Sequence, residues 1–291
     1  MNRNREMKGI ILAGGLGTRL SPMTDLFSKH LLPINDKPMI YYSLASLMLA
    51  EIREILIIST PRDIPLFKTL LGDGKQWGMK FDFKIQKKPE GLAQSFIIGE
   101  KFIGTSDCAL ILGDNLFFGN EWANTLLKAK ANLSGATIFA YPVNDPSRYG
   151  IVEIKNGKIQ SLIEKPVKPK SNLAITGLYF YKNNVIDIAK KIKPSKRGEF
   201  EITSINQAYL KKNDIKLEVM GRGMTWFDTG TVESILDATQ FVNVVEKRQG
   251  LKIACPEEIA WRNKWISNNR LISNAKKIQN IEYRNYLLGL L

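Results

Sequence analysis

Histidine is almost absent from this 291-residue chain: His30 is the only one, and cysteine occurs twice, at Cys108 and Cys255. A zinc centre of the usual Cys/His type draws its ligands from clusters of these residues, so that class is nearly excluded. A Ser–His–Asp system could recruit only His30, and no Gly-x-Ser-x-Gly elbow accompanies it. No apolar run approaches the roughly 20 residues of a membrane span. The polar, basic opening Met1–Lys8 leads only into a short apolar stretch with no cleavage pattern, so no secretory leader is expected. Two cysteines far apart in such a chain read as free thiols of a reducing compartment, which makes the cytoplasm the expected location. Acid is scarce too: 28 Asp and Glu face 42 Lys and Arg, leaving a formal charge of +14. That surplus favours anionic partners, whether nucleic acid, acidic lipid or phosphorylated metabolites. The cations are spread out, with modest clusters at Lys190–Lys193 and Lys276–Lys277 and no long basic run interleaved with aromatics, the pattern of a generally basic solvated surface. Neither an internal repeat nor a linker rich in Pro, Gly or Ser divides the chain.

What is present is organised around Lys8-Gly9-Ile10-Ile11-Leu12-Ala13-Gly14-Gly15-Leu16-Gly17-Thr18-Arg19-Leu20. An apolar run of strand length ends in three closely spaced glycines followed by a cation. Such a loop between strand and helix turns backbone N–H groups toward an anion. Arg19 adds a planar fork of donors suited to phosphate oxygens. The dinucleotide fingerprint fails here, because counting on from Gly15 and Gly17 reaches Leu20 where a third glycine belongs. The Walker loop fails as well, because Gly15 stands where its lysine should be. A tight strand-to-helix turn with no ligand would use the same glycines, so the residues downstream have to decide.

Strand-type runs are expected at Glu54–Thr60, Phe81–Gln86, Cys108–Leu112 and Thr137–Val143, with helices at about Lys37–Ile52, Leu92–Phe102 and Glu121–Asn132. This alternation implies a parallel sheet with right-handed crossovers, and ligands then bind beyond the carboxyl ends of the strands. The glycine loop, Lys87–Gly91 and Asp114 should therefore gather at one edge. From Tyr149 the pattern changes. Ile151–Ile154 and Lys158–Ile163 flank Asn156-Gly157, a hairpin signal. A strand at Leu173–Tyr181, helices at about Asn184–Ile192 and Glu201–Lys211, strands at Ile215–Met220 and Thr225–Phe227, a helix running to about Gln249 and a helical tail from Pro256 complete the expectation.

Asp114 and Asp228 each follow an apolar strand and stand near a glycine. Two carboxylates at one sheet edge beside a phosphate cradle suit Mg²⁺, which prefers one or two carboxylates plus substrate phosphates. The competing role is a turn or helix cap, most natural for Asp228 before Thr229-Gly230-Thr231. Arg19, Lys29 and Lys165 are the basic candidates, Lys165 at a strand end where a second anion could sit.

At this point the chain resembles the sugar nucleotidyltransferases, in their glucose-1-phosphate thymidylyltransferase branch. The resemblance rests on the glycine loop through Leu20, Ser28-Lys29, Leu31-Leu32-Pro33, Asp36 to Tyr42, Pro89-Glu90-Gly91-Leu92-Ala93-Gln94 and Leu112-Gly113-Asp114-Asn115. It continues through Arg148-Tyr149-Gly150, Glu164-Lys165-Pro166, Thr176 to Tyr181, Gly198-Glu199, Glu201-Ile202-Thr203, Trp226, Asp228 to Thr231, Cys255 to Ala260 and Tyr286-Leu287-Leu288. It implies an α/β fold: a Rossmann-like, mostly parallel central sheet flanked by helices, with a smaller mixed α+β sugar-binding region and a helical C-terminal tail. An N-terminal extension at 1–7, a nucleotide-binding part at about 8–145, a sugar-binding part at about 146–230 within a domain ending near 250, and a helical region at 251–291 would follow.

The implied reaction joins dTTP and α-D-glucose 1-phosphate into dTDP-glucose and pyrophosphate with Mg²⁺, opening the route to dTDP-rhamnose and related dTDP-sugars. By this resemblance Arg19, Lys29 and Lys165 would be catalytic. Leu12, Gly14, Gly15, Gly17, Thr18, Arg19, Gln86, Pro89, Gly91 and Asp114 would bind nucleotide. Asn115, Gly150, Glu164, Lys165, Thr176, Gly177, Tyr179 and Trp226 would bind sugar phosphate, and Asp114 and Asp228 the metal. A second, regulatory nucleotide site would use Phe118, Gly119, Arg222, Cys255, Glu258, Ile259 and Arg262. A homotetramer is implied, with no nucleic acid or membrane among the partners.

The chain departs from the family pattern at His30, where Gln is usual, at Ser43, where Pro is usual, and at Phe118 and Asn120. His30 would stand close to the triphosphate and could alter nucleotide preference or pH dependence. A related pyrophosphorylase using UTP or another sugar phosphate, a basic nucleic-acid-binding protein and a catalytically silent homologue are the other readings.

Overall fold

The computed structural model describes residues 6–15 and 17–291. Of the expected extension at 1–7, residues 1–5 lie outside that description, and Met7 already belongs to the first strand. In the order of the chain, β1 (Met7–Leu12), a small hairpin of β2 (Pro33–Ile34) and β3 (Lys37–Pro38), α1 (Ile40–Leu49), β4 (Glu54–Ser59), α2 (Ile64–Leu71) and β5 (Lys80–Ile85) come first. Next are α3 (Gln94–Ile98), α4 (Glu100–Ile103), β6 (Asp107–Leu112), β7 (Asn115–Gly119), α5 (Trp122–Ala131) and β8 (Ala136–Pro142). The strands β9 (Gly150–Lys155), β10 (Lys158–Glu164) and β11 (Leu173–Tyr181) precede α6 (Val185–Ala189), α7 (Ile202–Lys211), β12 (Ile215–Val219) and β13 (Met224–Asp228). Four helices close the chain: α8 (Val232–Gln249), α9 (Pro256–Arg262), α10 (Asn268–Lys277) and α11 (Ile281–Leu288).

Strands β5, β4, β1 and β6 pair in parallel, which brings their carboxyl ends to one edge. The register Leu12↔Leu112 sets the glycine loop beside Gly113-Asp114. Along β1, β4 and β6, alternate residues enter opposite cores. Ile11, Ile57 and Ile111 pack on one face, Ile10, Leu56, Ile58 and Leu110 on the other, which is why these runs are apolar throughout. Each such fully buried aliphatic side chain contributes about 1.5–3 kcal/mol.

The second half joins the same sheet through β11. Its C-terminal half lies antiparallel to β6, its N-terminal half touches β9, and its opposite edge pairs with β8, which carries β12 in parallel. The hairpin β9–β10 turns at Asn156 and Gly157, both with positive φ, as the sequence signals.

Four elements differ from expectation. The first long helix begins at Ile40 because Lys37 and Pro38 pair with Ile34 and Pro33. The helix expected at about 92–102 is broken in two at Gly99. Helix α2, unforeseen behind Pro61, tolerates Pro65 in its first turn, where no helical N–H is lost, and buries Ile64, Phe67 and Leu71 on one face. Strand β7, unassigned in the sequence reading, pairs antiparallel with β13 and makes the site possible.

Candidate active site

The β7–β13 ladder sets Asp228 opposite Asn115, next to Asp114. Thr229, fully buried, fixes that arrangement: its N–H and its hydroxyl both donate to the Asp114 carbonyl, at 3.0 and 2.7 Å. The cap reading of Asp228 fails, because Thr231 caps α8 in a reciprocal capping box with Ser234, leaving the Asp228 carboxylate free of that duty. Ser43 hydroxyl lies 2.8 Å from the Leu112 carbonyl and 3.0 Å from that of Asn115, sharing its proton across the base of the Gly113-Asp114 turn.

Lys29, in a single 3₁₀ turn (Lys29–Leu31), donates its ammonium hydrogen to Asp114 Oδ2, and both side chains are mostly buried. The other carboxylate oxygen accepts from Asn115 Nδ2 at 2.9 Å. Burial opposes ionisation of Asp114, but the charge of Lys29 and the hydrogen bonds from Lys29 and Asn115 outweigh it and hold the carboxyl well below the usual range. Asp228 goes the other way. Burial first, then the negative charge of Asp114, push it up to about 6, against partial relief from Lys29, Arg19 and Arg148. Two acids side by side with opposite shifts are a pair short of countercharge. Among the described residues no cluster of three metal-ligating side chains exists, so any cation at this pair would take its remaining ligands from substrate and water.

In the glycine loop, Gly15 and Gly17 both adopt positive φ, a backbone that only glycine holds without strain, and Thr24 hydroxyl braces Gly17 by donating to its carbonyl at 2.8 Å. Leu16 lies outside the described residues. A cavity of about 310 Å³ opens beside Gly15, lined by Thr60, Pro61, Arg62, Gln86, Lys87 and Pro89. Gln86 is buried and oriented by an amide chain, donating to Gln94 at 2.6 Å, which donates to Glu90 at 2.7 Å. A Cβ on Gly14 would stand only 2.7 Å from Gln86 Oε1, so glycine is what lets the loop lie against that amide. Leu12 ends β1 as core, Thr18 and Arg19 are exposed, and Gly91 packs its backbone on Phe200.

A second cavity of about 510 Å³ contains Arg19, Asp114 and Asp228 together with every residue assigned above to the sugar phosphate: Asn115, Gly150, Glu164, Lys165, Thr176, Gly177, Tyr179 and Trp226. Asn115 Oδ1 accepts from Trp226 Nε1 at 2.7 Å and from Gly177 N–H at 2.9 Å, and a Cβ on Gly177 would collide with it at 2.7 Å. Glu164 Oε2 accepts from Thr203 hydroxyl at 2.5 Å. Arg19 and Asp228 flank Gly230, whose Cβ would stand 3.1 Å from Arg19 Nη2 and 3.2 Å from Asp228 Oδ1.

Sequence reasoning missed four contributors: Arg148, Glu201 and Thr203, which line this cavity, and Arg197, which reaches Glu164 at 3.8 Å, Glu199 at 3.0 Å and Glu201 at 3.6 Å. Three of them sit in segments that carry the family resemblance, but only the folded pocket gives them a task. His30 differs from expectation. It is buried behind Lys29 with Nδ1 2.8 Å from Ser28 hydroxyl and its ring edge against Gly113, and burial followed by the charge of Lys29 lowers it to about 3. It therefore remains neutral at working pH.

Of the residues assigned to regulation, Phe118, Gly119, Cys255, Glu258, Ile259 and Arg262 line a separate cavity of about 450 Å³ beneath α9, while Arg222 is exposed in a turn and does not line it. Both thiols are buried and pushed up by that burial, inert as nucleophiles. No helix among the described residues is long and apolar enough to cross a membrane.

The sequence model of the nucleotidyl transferase family matches residues 8–244. A glucose-1-phosphate thymidylyltransferase of Neisseria meningitidis serogroup A is 52% identical over 98% of this chain and 99% of its own length. That of Mycobacterium tuberculosis is 53% identical with the same coverage. Among solved structures, a Bacillus anthracis glucose-1-phosphate thymidylyltransferase in complex with sucrose superposes with a TM-score of 0.76 at 39% identity, covering 81% of this chain and 94% of that one. A UDP-glucose pyrophosphorylase complexed with UDP-glucose gives 0.72 at 25% identity, over 84% of this chain and 100% of that one. The paired carboxylates, the glycine loop and the two cavities thus stand on a known scaffold: the chain belongs to the nucleotidyl transferase family, among the glucose-1-phosphate thymidylyltransferases.

Proposed function

We propose that this protein condenses dTTP with α-D-glucose 1-phosphate to give dTDP-glucose and pyrophosphate, and so supplies the first activated sugar of dTDP-deoxysugar synthesis in the cytoplasm. The observation that carries this reading is the convergence of Arg19, Lys29, Asp114 and Asp228 between a cavity floored by Gln86 and one walled by Glu164 and Lys165. The sugar phosphate is already an oxygen nucleophile, so the protein need not generate one. Its work is to hold two polyanions in line and offset charge as pyrophosphate leaves.

Arg19, Lys29 and the backbone of Gly14, Gly15 and Gly17 would hold the triphosphate, with Gln86 and the Gly91 backbone on the thymine edge. Lys165 and Arg197 would take the sugar phosphate, while Glu164, held by Thr203, accepts from sugar hydroxyls. Trp226 and Tyr179, both largely buried, give this side an aromatic wall. The charge-starved pair Asp114 and Asp228 fits a divalent cation, Mg²⁺ by resemblance. Such an ion, when bound, neutralises phosphate charge beside the carboxylates. The cavity beneath α9 is the place for a regulatory nucleotide, and a homotetramer is the expected assembly, read by light scattering.

Pyrophosphate release from a panel of nucleoside triphosphates, each paired with several sugar 1-phosphates, with Mg²⁺ and with chelator, tests the reading. Metal-dependent turnover greatest for dTTP with glucose 1-phosphate is expected. Preference for UTP or another sugar would retain the chemistry and move the specificity. No turnover with any pair would overturn the assignment.

A further inference from the structure

Three surface loops meet at the mouth of the cleft. The first follows β5 and carries Lys87 and Lys88. The second joins β10 to β11 and carries Lys165, Lys168 and Lys170. The third joins α6 to α7 and carries Lys193, Lys196 and Arg197. Named contacts hold them together: Phe200 N–H donates to the Glu90 carbonyl at 2.7 Å, Ala93 N–H to the Phe200 carbonyl at 3.1 Å, and Arg197 reaches Glu164 at 3.8 Å. All eight cations are exposed.

The acids on these loops face inward or are already engaged. Glu90 accepts from Gln94, while Glu164, Glu199 and Glu201 share Arg197. Among the described residues the ion pairs of these loops use Lys165, Arg197 or, at the start of the third loop, Lys190 with Glu100. Among the described residues Lys87, Lys88, Lys168, Lys170, Lys193 and Lys196 have no carboxylate partner. Structural ion pairing does not account for them, and the site described above leaves all but Lys87 outside its walls.

We infer that these loops form an electrostatic funnel that captures small phosphate-bearing anions and steers them into the cleft. Charge of one sign around a concave, low-dielectric opening raises the local concentration of counter-ions and accelerates association by about 10- to 1,000-fold, in a manner that salt suppresses. At physiological ionic strength the field reaches about 8 Å, enough to act at the rim but not across the molecule. The overall charge of +14 is then less important than where it lies. The inference rests on the proposed substrates only in naming the anions. Its content is the location of the steering charge.

The test compares two variants of equal net charge, K168Q/K170Q/K193Q/K196Q on the rim and K211Q/K212Q/K276Q/K277Q elsewhere on exposed surface. Stopped-flow association of mant-labelled dTTP is followed from about 20 to 300 mM NaCl, where screening grows severalfold. The rim variant should associate about tenfold more slowly at low salt, with a flattened salt dependence and an unchanged dissociation rate, while the distal variant keeps the wild-type rate and slope. A rim variant that retains the wild-type rate and slope overturns the inference, and so does a distal variant that loses as much. Steered association without turnover of any substrate pair would instead sink the proposed activity and leave the funnel standing.

Discussion

Lys29 and Asp114, 85 residues apart in sequence, form the mostly buried ion pair on which the cleft is built. The pair joins a turn just after the glycine loop to the end of β6. It keeps Asp114 ionised in a place where burial alone would not.

Lys29→Met is therefore expected to cost stability as well as activity. Removing one partner of a buried pair costs about 3–5 kcal/mol, and the 13% and 11% exposure of these side chains puts the loss toward the lower end. Turnover should fall at least about 100-fold, as for a lost oxyanion donor. Urea titration and pyrophosphate release read the two effects. Unchanged stability would mean that Asp114 is held by its other partners.

Asp228→Asn should separate function from stability. The carboxyl binds its proton more tightly in the folded chain, at about 6, than in the unfolded chain, at 3.8. Its contribution thus makes the metal-free protein more stable as pH falls from 7 toward 4, and less stable as pH rises through 6. The amide removes that repulsion, so at pH 7 without divalent ions the variant should be roughly 1–3 kcal/mol more stable. It should also be inactive, with no rise in Tm on adding Mg²⁺. A variant whose stability follows pH and Mg²⁺ like the wild type would refute this.

His30 works in the opposite direction over nearly the same interval. Its folded value of about 3 lies below the ordinary 6.5, so folding is opposed as pH drops from 6.5 and the unfolded chain takes up the proton. His30→Gln should extend the acid limit of folding by lowering the midpoint of acid unfolding. The nucleotide profile should stay unchanged, because the ring lies behind Lys29. A shift in preference between dTTP and UTP would show that the ring reaches the nucleotide.

Gly177→Ala should damage the sugar side selectively. The new methyl would meet the Asn115 side chain at 2.7 Å and break its bonds to Gly177 and Trp226. KM for glucose 1-phosphate is expected to rise about tenfold, the worth of one lost polar contact of about 1.4 kcal/mol, with KM for dTTP little changed. Parallel steady-state titrations of the two substrates distinguish this from general misfolding.

Much of this was legible because chemistry here sits where apolar strands end. The runs at β1, β4 and β6, continuous because both faces are buried, announced a parallel sheet and put Gly14, Asp114 and Gln86 at one edge. Periodicity could not reveal β7, five residues whose pairing with β13 depends on a segment more than a hundred residues away. Nor could it show that Thr229 rather than any side chain near Asp114 would hold the two acids together, or that Arg197 would span three glutamates. The position of His30 was misjudged for a related reason. Sequence proximity to Lys29 implied proximity to phosphate, whereas the 3₁₀ turn sends the two side chains to different sides, one into the cleft and one into the protein.

Strand β11 has a further consequence. Among the described residues it is the only partner of β6 on that edge and the strand that ties β8 and β12 to the rest, although it comes from the second half of the chain. A fragment ending near residue 145 would leave β6 with a bare apolar edge and β8 with no neighbour. The two cavities of the cleft are therefore not separable modules that could be exchanged or expressed alone. The chain should melt in one cooperative transition, and the cleft's two halves should be gained or lost together.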